Sequence, residues 1–310
     1  MQSKIKIAFL VIAHSNEGQL NLFINQLLEY DNSYVFVHLD KKSTLEKDQI
    51  LSHERVIILE ERVNVSWGDY SYIKVVKMLL NYASEYADFD YYSLHSGVDL
   101  MIKPVQALVD FLKKDGRDAY LEVEKMPISG TKRCGHMERI GLYYPRFMRK
   151  KYRYKSFMRY LRSAYMSTYK YLVFPKLDDS IYWFGSSFFT ISKKMLGDYY
   201  AFLSSNADYD KHFYNSLCGD EIYFNTIFMN SRNCDIARDN NLFFIKWSTV
   251  EVYAGSPHTL TMADKKSLLY CNAFFARKFN EDVDNRIIQF FAKKSKCSEM
   301  AEGRTRRAEA

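Results

Sequence analysis

Cysteine is scarce and unpatterned in this chain. There are five, an odd number, and no CxxC pair, which argues against a disulfide framework and against a zinc site. Long apolar runs are missing as well. The first apolar segment, Ile7 to Ala13, follows Met1–Lys6 directly and falls far short of the ~20 residues a membrane span needs. No signal-peptide cleavage site accompanies it. The expectation from these absences is a reducing, cytoplasmic compartment. The glycine signatures GxGxxG and GxxxxGK(S/T) are absent, so neither a dinucleotide fold nor a P-loop is supported. With no zinc-finger spacing, RNP-type motif or heptad repeat, nucleic acid has nothing but charge to recommend it.

What is present is aromatic and basic. Aromatic residues make up 16% of the 310, with 25 Tyr and 22 Phe; such side chains build cores, but also sugar-stacking floors and membrane-interface belts. The formal net charge of +7 favours anionic partners such as nucleotide sugars, phosphate-bearing acceptors or an anionic bilayer. The length suits one large domain or two closely packed lobes.

Ile5 to Ala13 reads as a strand buried on both faces of a parallel sheet. Ser15 and Glu17 open an amphipathic helix through Leu20, Phe23, Ile24, Leu27 and Leu28. Further apolar runs at Tyr34–Leu39, Val56–Leu59 and Tyr91–Leu94 alternate with helices expected over about Tyr72–Tyr86 and onward from Pro104. That alternation predicts an α/β fold with a largely parallel sheet. Ligands of open α/β sheets lie beyond the carboxyl ends of strands, and His14, Asp40 and Asp99 each follow such an end. Singly each is as readily a turn residue; together they predict a binding crevice. The second half predicts a strand over Phe184–Ser192, helices near Lys193–Leu203 and Ile222–Met229, a short strand ending at Trp247, and a capping box at Thr261-x-x-Asp264.

Between Tyr143 and Tyr171 the composition shifts. Arg146, Arg149, Lys150, Lys151, Arg153, Lys155, Arg159, Arg162 and Lys170 interleave with Tyr, Phe and Met. The stretch suits either an amphipathic segment on an anionic bilayer or a solvated helical hairpin covering the core. The tail from about Lys293 has no apolar periodicity and is expected to be disordered.

The segment Gly219-Asp220-Glu221 precedes the aromatic run Ile222–Met229. Free backbone N–H groups and the macrodipole of a first helical turn keep a carboxylate ionised, which is the state a general base requires. An ordinary helix cap is the plain alternative for this segment alone.

Taken in order, FLVIAH (9–14), VFVHLDKKS (35–43), VSWGDYS (65–71), YYSLHSGVDLMIKP (91–104), YLEVEKMP (120–127), WFGSSFFTIS (183–192), GDEIYFNT (219–226) and FFARKF (274–279) resemble the core-2/I-branching β-1,6-N-acetylglucosaminyltransferase family and its peptide O-xylosyltransferase relatives. The resemblance covers about residues 5–290 and implies a GT-A fold. It implies one catalytic domain over 1–292, with a nucleotide-sugar half (1–118), an acceptor half (119–292) carrying the basic insertion 143–171, and a tail over 293–310. The implied reaction is inverting transfer from a UDP-sugar, with Glu221 as the base and Asp220 as a capping or orienting neighbour.

The family uses no metal, and the implied cofactor set is empty: Arg277 and Lys278 replace a DxD-bound cation on the diphosphate. Asp88-Phe89-Asp90 and Asp208-Tyr209-Asp210 are decoys by position, since Asp90 enters a strand and Asp208 follows a helix. His258 is the stand-in for a further phosphate-binding arginine that has no clear counterpart. His14, Asp40 and Asp99 fall on the donor side, with Trp67 closing the pocket. Glu122, Arg133 and Trp247 match acceptor contacts, a carboxylate and an indole face being what a pyranose needs. Gly130 stands where the family has a lysine, which points to a different acceptor. The expected role is transfer, N-acetylglucosamine first and xylose second, to a glycan or lipid-linked acceptor in bacterial surface-polysaccharide assembly. The rival from another class is a non-catalytic carbohydrate- or membrane-binding protein on the same scaffold.

Overall fold

The structure, a computed structural model, describes residues 4–129, 135–149, 156–168, 182–247 and 256–293. The chain forms two compact units, neither continuous in sequence. One comprises Met1–Arg62, Ala83–Gly116 and Leu242–Ala310, the other Val63–Tyr82 and Arg117–Asn241.

The first unit is built on a parallel sheet. Ile7–Ala13 runs between Ser33–Leu39 and Tyr91–Ser96, parallel to both, and Val56–Ile58 adds to the far side of Ser33–Leu39. Every residue of Ile7–Ala13 is buried. With both faces covered the strand has no polar side to show, which is why it reads as a continuous apolar run. The register sets Ala13 against Leu39 and Ile12 against Ser96, so the loops after these strands leave from one edge. Helix Glu17–Leu28 buries Leu20, Phe23, Ile24 and Leu27 on one stripe, and its cap is Asn16 in the left-handed region (φ 61°). Helix Val105–Asp115 starts behind Pro104 and stops at Gly116, whose φ of 68° lets its N–H reach the Leu112 carbonyl at 3.0 Å. Late in the chain, Phe275–Arg277 pairs parallel with Phe243–Ile245 and antiparallel with Leu100–Met101. The Thr261/Asp264 capping box is present, but it opens a short 3-10 turn ahead of helix Lys265–Tyr270.

In the second unit Ala119–Tyr120 pairs parallel with Ile236–Ala237 and antiparallel with Thr190–Ser192, while Val123–Lys125 pairs antiparallel with Trp183–Gly185. The single strand expected over Phe184–Ser192 is therefore two short strands with different partners. The break has a local cause. Gly185 passes so close to the Glu122 carbonyl that a Cβ there would stand 2.1 Å from it, and the Ser186 N–H donates to that carbonyl at 2.9 Å. Helix Lys193–Ser205 is capped by Ser192, whose hydroxyl accepts from the Met195 N–H at 3.2 Å. Helix Asp220–Met229 is buried from Ile222 through Met229; a helix enclosed on all sides carries no amphipathic stripe.

The α/β class with a mainly parallel sheet is thus what the chain adopts. The partition differs from a division at residue 118: residues 63–82 join the later unit, and residues from 242 onward join the earlier one.

Candidate active site

The start of helix Asp220–Met229 is held from two directions. Cys218 takes the left-handed conformation (φ 52°) and donates its N–H to the Gly68 carbonyl at 3.0 Å, while the Leu217 N–H donates to the Arg139 carbonyl at 2.9 Å. Gly219 must be small because a Cβ there would lie 2.3 Å from the Ser216 hydroxyl oxygen. These contacts fix the backbone on which Glu221 stands. Its side chain is 30% exposed, and its Oε2 accepts from Arg139 Nη1 in a tight ion pair. The Arg139 guanidinium also lies 4.9 Å from the centre of the Phe184 ring. Asp220 turns elsewhere, its Oδ2 accepting from the Ser187 hydroxyl at 2.6 Å. No side chain caps this helix start. Asn225 donates to the carbonyls of Glu221 and Ser186, both at 3.0 Å.

Burial pushes the Glu221 carboxyl above the usual glutamate value; Arg139 pulls it back down and Asp220 adds a further push upward. A raised pKa makes the carboxylate a stronger base provided it stays ionised. Activity that needs the ionised form is lost as pH falls through that pKa. Removing the neighbouring positive charge raises the pKa further, so Arg139→Gln should move the acid limb of the kcat/KM profile to higher pH. An unmoved limb would leave Arg139 a merely structural partner. Arg139 lies 82 residues before Glu221 and carries no motif, so nothing in the sequence singles it out.

Trp67 belongs to the same unit. Gly68 supplies a positive φ of 71° behind it, Asp69 Oδ1 accepts from the Ser71 N–H at 2.9 Å, and the Arg162 guanidinium sits 5.6 Å from the indole centre. Asp69 also pairs with Arg149 at 3.1 Å, and Arg149 Nη1 donates to the Tyr214 carbonyl. Arg149 is buried, so this member of the basic stretch braces the Trp67 loop and cannot face a bilayer. Glu122 stands exposed, with Asn241 Nδ2 donating to its Oε2 at 3.2 Å. Arg133 and Gly130 lie outside the described residues.

In the other unit, His14 and Asp40 follow adjacent parallel strands. The Asp40 N–H donates to the Ala13 carbonyl and the Ser43 hydroxyl to the His14 carbonyl, each at 2.9 Å. Arg62 Nη2 donates to the carbonyls of Asp40 and Ser43, both at 3.0 Å. The two loops are thereby locked together, with His14 exposed and Asp40 buried.

Asp99 departs from the expectation. It is 0% exposed; its carboxylate accepts from the Ser96 N–H and hydroxyl, each at 2.8 Å, and lies 3.8 Å from Arg277 Nε. Burial raises its pKa while Arg277 and Ser96 lower it. Asp99 is enclosed in the unit and so is not presented to a donor as the resemblance implied; Arg277 is the cation beside this buried carboxylate. His95 joins this cluster. Its Nε2 is 2.8 Å from the Ser93 hydroxyl, its ring packs among Phe9, Phe23, Phe243 and Phe275, and burial lowers its pKa to about 3, leaving it neutral.

Lys278 is half-buried, and its carbonyl accepts from the Leu260 N–H at 2.9 Å. Trp247 bridges to Pro257 and is 54% exposed. It belongs to the unit of His14 and Lys278, whereas Glu122 belongs to that of Glu221. The His258 N–H donates to the Lys246 carbonyl at 2.6 Å, and its ring Nε2 lies 3.9 Å from Asp264, which also pairs with Lys246 at 2.7 Å. The two acidic pairs have structural partners: Asp90 accepts from the Lys6 N–H at 2.7 Å, Asp210 from Lys77 Nζ and the Tyr223 hydroxyl at 2.5 Å each, and Asp208 pairs with Lys211 at 2.6 Å. Among the described residues no group of three or more His, Cys, Asp or Glu side chains is disposed to hold a metal ion.

The family description Core-2/I-Branching enzyme matches residues 7–270. The chain belongs to the core-2/I-branching enzyme family. Among curated proteins the chain is 24% identical to xylosyltransferase 1 of Rattus norvegicus over 306 residues, covering 92% of this chain and 35% of the rat protein. The Homo sapiens xylosyltransferase 1 is 24% identical over 317 residues, with 92% and 30% covered. The chain spans about a third of the length of these relatives. Among solved structures, mouse xyloside xylosyltransferase 1 aligns over 87% of this chain and 97% of that chain at 10% identity and a TM-score of 0.38. S. aureus TarS aligns over 76% and 36% at 15% identity and a TM-score of 0.36.

Proposed function

We propose that the protein is an inverting, metal-independent glycosyltransferase of GT-A type that moves a sugar from a UDP-sugar to a glycan or lipid-linked acceptor in surface-polysaccharide assembly. The observation that carries the reading is Glu221 itself. It is a carboxylate in the first turn of a buried helix, its backbone pinned by the Gly68 and Arg139 carbonyl contacts and its side chain oriented by Arg139. In this reading Glu221 takes the proton from an acceptor hydroxyl as that oxygen attacks the anomeric carbon. The bond from that carbon to the diphosphate breaks, and UDP leaves with the electron pair. Glu122 and Trp247 contact acceptor hydroxyls and a sugar face; His14 and Asp40 serve the nucleoside. Lys278, the lysine that the resemblance to the family singles out, meets the diphosphate charge.

The donor sugar is N-acetylglucosamine in this reading. Xylose is the second reading, favoured by the name of the relatives, xylosyltransferase 1. Acceptor-dependent UDP release measured with UDP-N-acetylglucosamine and with UDP-xylose separates the two. Thermal stabilisation by UDP without turnover on any donor would favour a non-catalytic binding protein instead.

A further inference from the structure

We infer that helix Phe157–Ser167, with the loop Tyr143–Phe147 beside it, is the surface on which this protein seats against an anionic bilayer. The helix is capped by Ser156, whose hydroxyl accepts from the Arg159 N–H, and it has two distinct faces. Its inner face is anchored: Met166 joins Leu142, Tyr144, Met148, Leu217 and Cys218 in a buried cluster, the Tyr165 hydroxyl donates to the Tyr143 carbonyl at 2.6 Å, and Arg162 donates to the Met148 carbonyl at 3.1 Å. The outer face presents Phe157, Tyr160, Leu161 and Ala164, spaced i, i+3, i+4 and i+7, all exposed. Phe157 is 77% exposed and Tyr160 61%. Tyr143 and Phe147 extend this apolar surface, and Arg146 is exposed among them. An apolar helix face turned to water, fixed from behind by ordinary core packing, marks a contact surface rather than a folding defect.

The charge of the surrounding chain selects the occupant. No Asp or Glu occurs between Glu138 and Asp178, while Lys150, Lys151, Arg153 and Lys155 crowd the sequence just ahead of the helix. A second copy of this surface would bring like charges together, which costs rather than binds. Anionic headgroups complement it, with aromatic side chains settling at headgroup depth. Among the described residues no helix is long and apolar enough to cross a membrane, so this one lies on the surface. Such seating would make the enzyme peripheral and set it where lipid-linked acceptors reside.

The intact protein should sediment with phosphatidylglycerol vesicles at low ionic strength, leave them at high salt, and largely ignore phosphatidylcholine vesicles. The triple variant F157S/Y160S/L161S replaces no residue assigned to donor, acceptor or base. It should lower the vesicle partition coefficient at least ~10-fold with thermal unfolding and transfer to a soluble acceptor unchanged. R146S should weaken binding and flatten its salt dependence while leaving Arg149 on Asp69. The inference is overturned if the wild type stays in the supernatant with phosphatidylglycerol at low salt, or if F157S/Y160S/L161S sediments like the wild type. It is also overturned if sedimentation velocity finds a dimer that this variant dissolves while vesicles bind neither protein. None of these outcomes bears on Glu221, whose role is tested separately by turnover.

Discussion

Glu221→Gln should lower kcat by ~10²–10⁴-fold, the usual worth of a positioned general base, while UDP binding persists. The substitution keeps size and hydrogen-bonding capacity but removes the only function the mechanism assigns to the residue, accepting a proton. In the proposed reading Glu221 acts on the acceptor hydroxyl and His14, Asp40 and Lys278 serve the nucleotide, so nucleotide affinity has no reason to follow kcat. Arg139 loses its ionic partner in this variant, and unfolding should be followed alongside turnover to separate lost chemistry from lost fold. A folded variant that turns over within a few-fold of the wild type would remove Glu221 from the role of base.

Lys278→Ala should weaken UDP binding by about 1.5–3 kcal/mol, the worth of a hydrogen bond to a charged group, or roughly 10- to 150-fold in Kd. Transfer should slow as well, because charge on the leaving diphosphate grows toward the transition state and a cation there acts where it counts most. The same account expects the wild type to keep its activity in excess EDTA. Titration calorimetry with UDP, alongside turnover with and without chelator, checks both. Chelation that abolishes activity, with Mn²⁺ restoring it, would transfer the charge-neutralising role from Lys278 to a metal. Asp99 would then have to leave Ser96 and Arg277 to bind it.

The parallel sheet was legible because burial on both faces leaves an unmistakable trace: Ile7–Ala13 and Ser33–Leu39 are apolar runs bounded by polar turns. Strands of two residues leave no such trace. Ala119–Tyr120, Leu100–Met101 and Ile236–Ala237 are too short for periodicity to register, and the split at Gly185 depends on a carbonyl far away in the chain. The same asymmetry holds at the site. Glu221 is visible as a carboxylate at a helix start, whereas its partner Arg139 is fixed only by tertiary structure. Asp99 does sit beyond a strand end, as the ligand rule for open sheets anticipates. Its side chain turns inward because a cation 178 positions later, Arg277, is within reach of it. Arg149 and Arg162 counted as members of a basic surface, yet Asp69, the Tyr214 and Met148 carbonyls and the Trp67 ring engage them. The exposed apolar face of helix Phe157–Ser167 is a feature that the composition alone could not orient.

The most direct measurement of the central claim is the configuration of the product. A single carboxylate base with in-line departure of UDP inverts the anomeric centre, so an α-linked UDP-sugar must give a β-linked product. Proton NMR of the disaccharide formed on a soluble acceptor reads this from the anomeric coupling. A β-linked product made by the wild type and not by Glu221→Gln is the result the account predicts. An α-linked product would contradict it, because retention cannot arise from one displacement driven by Glu221.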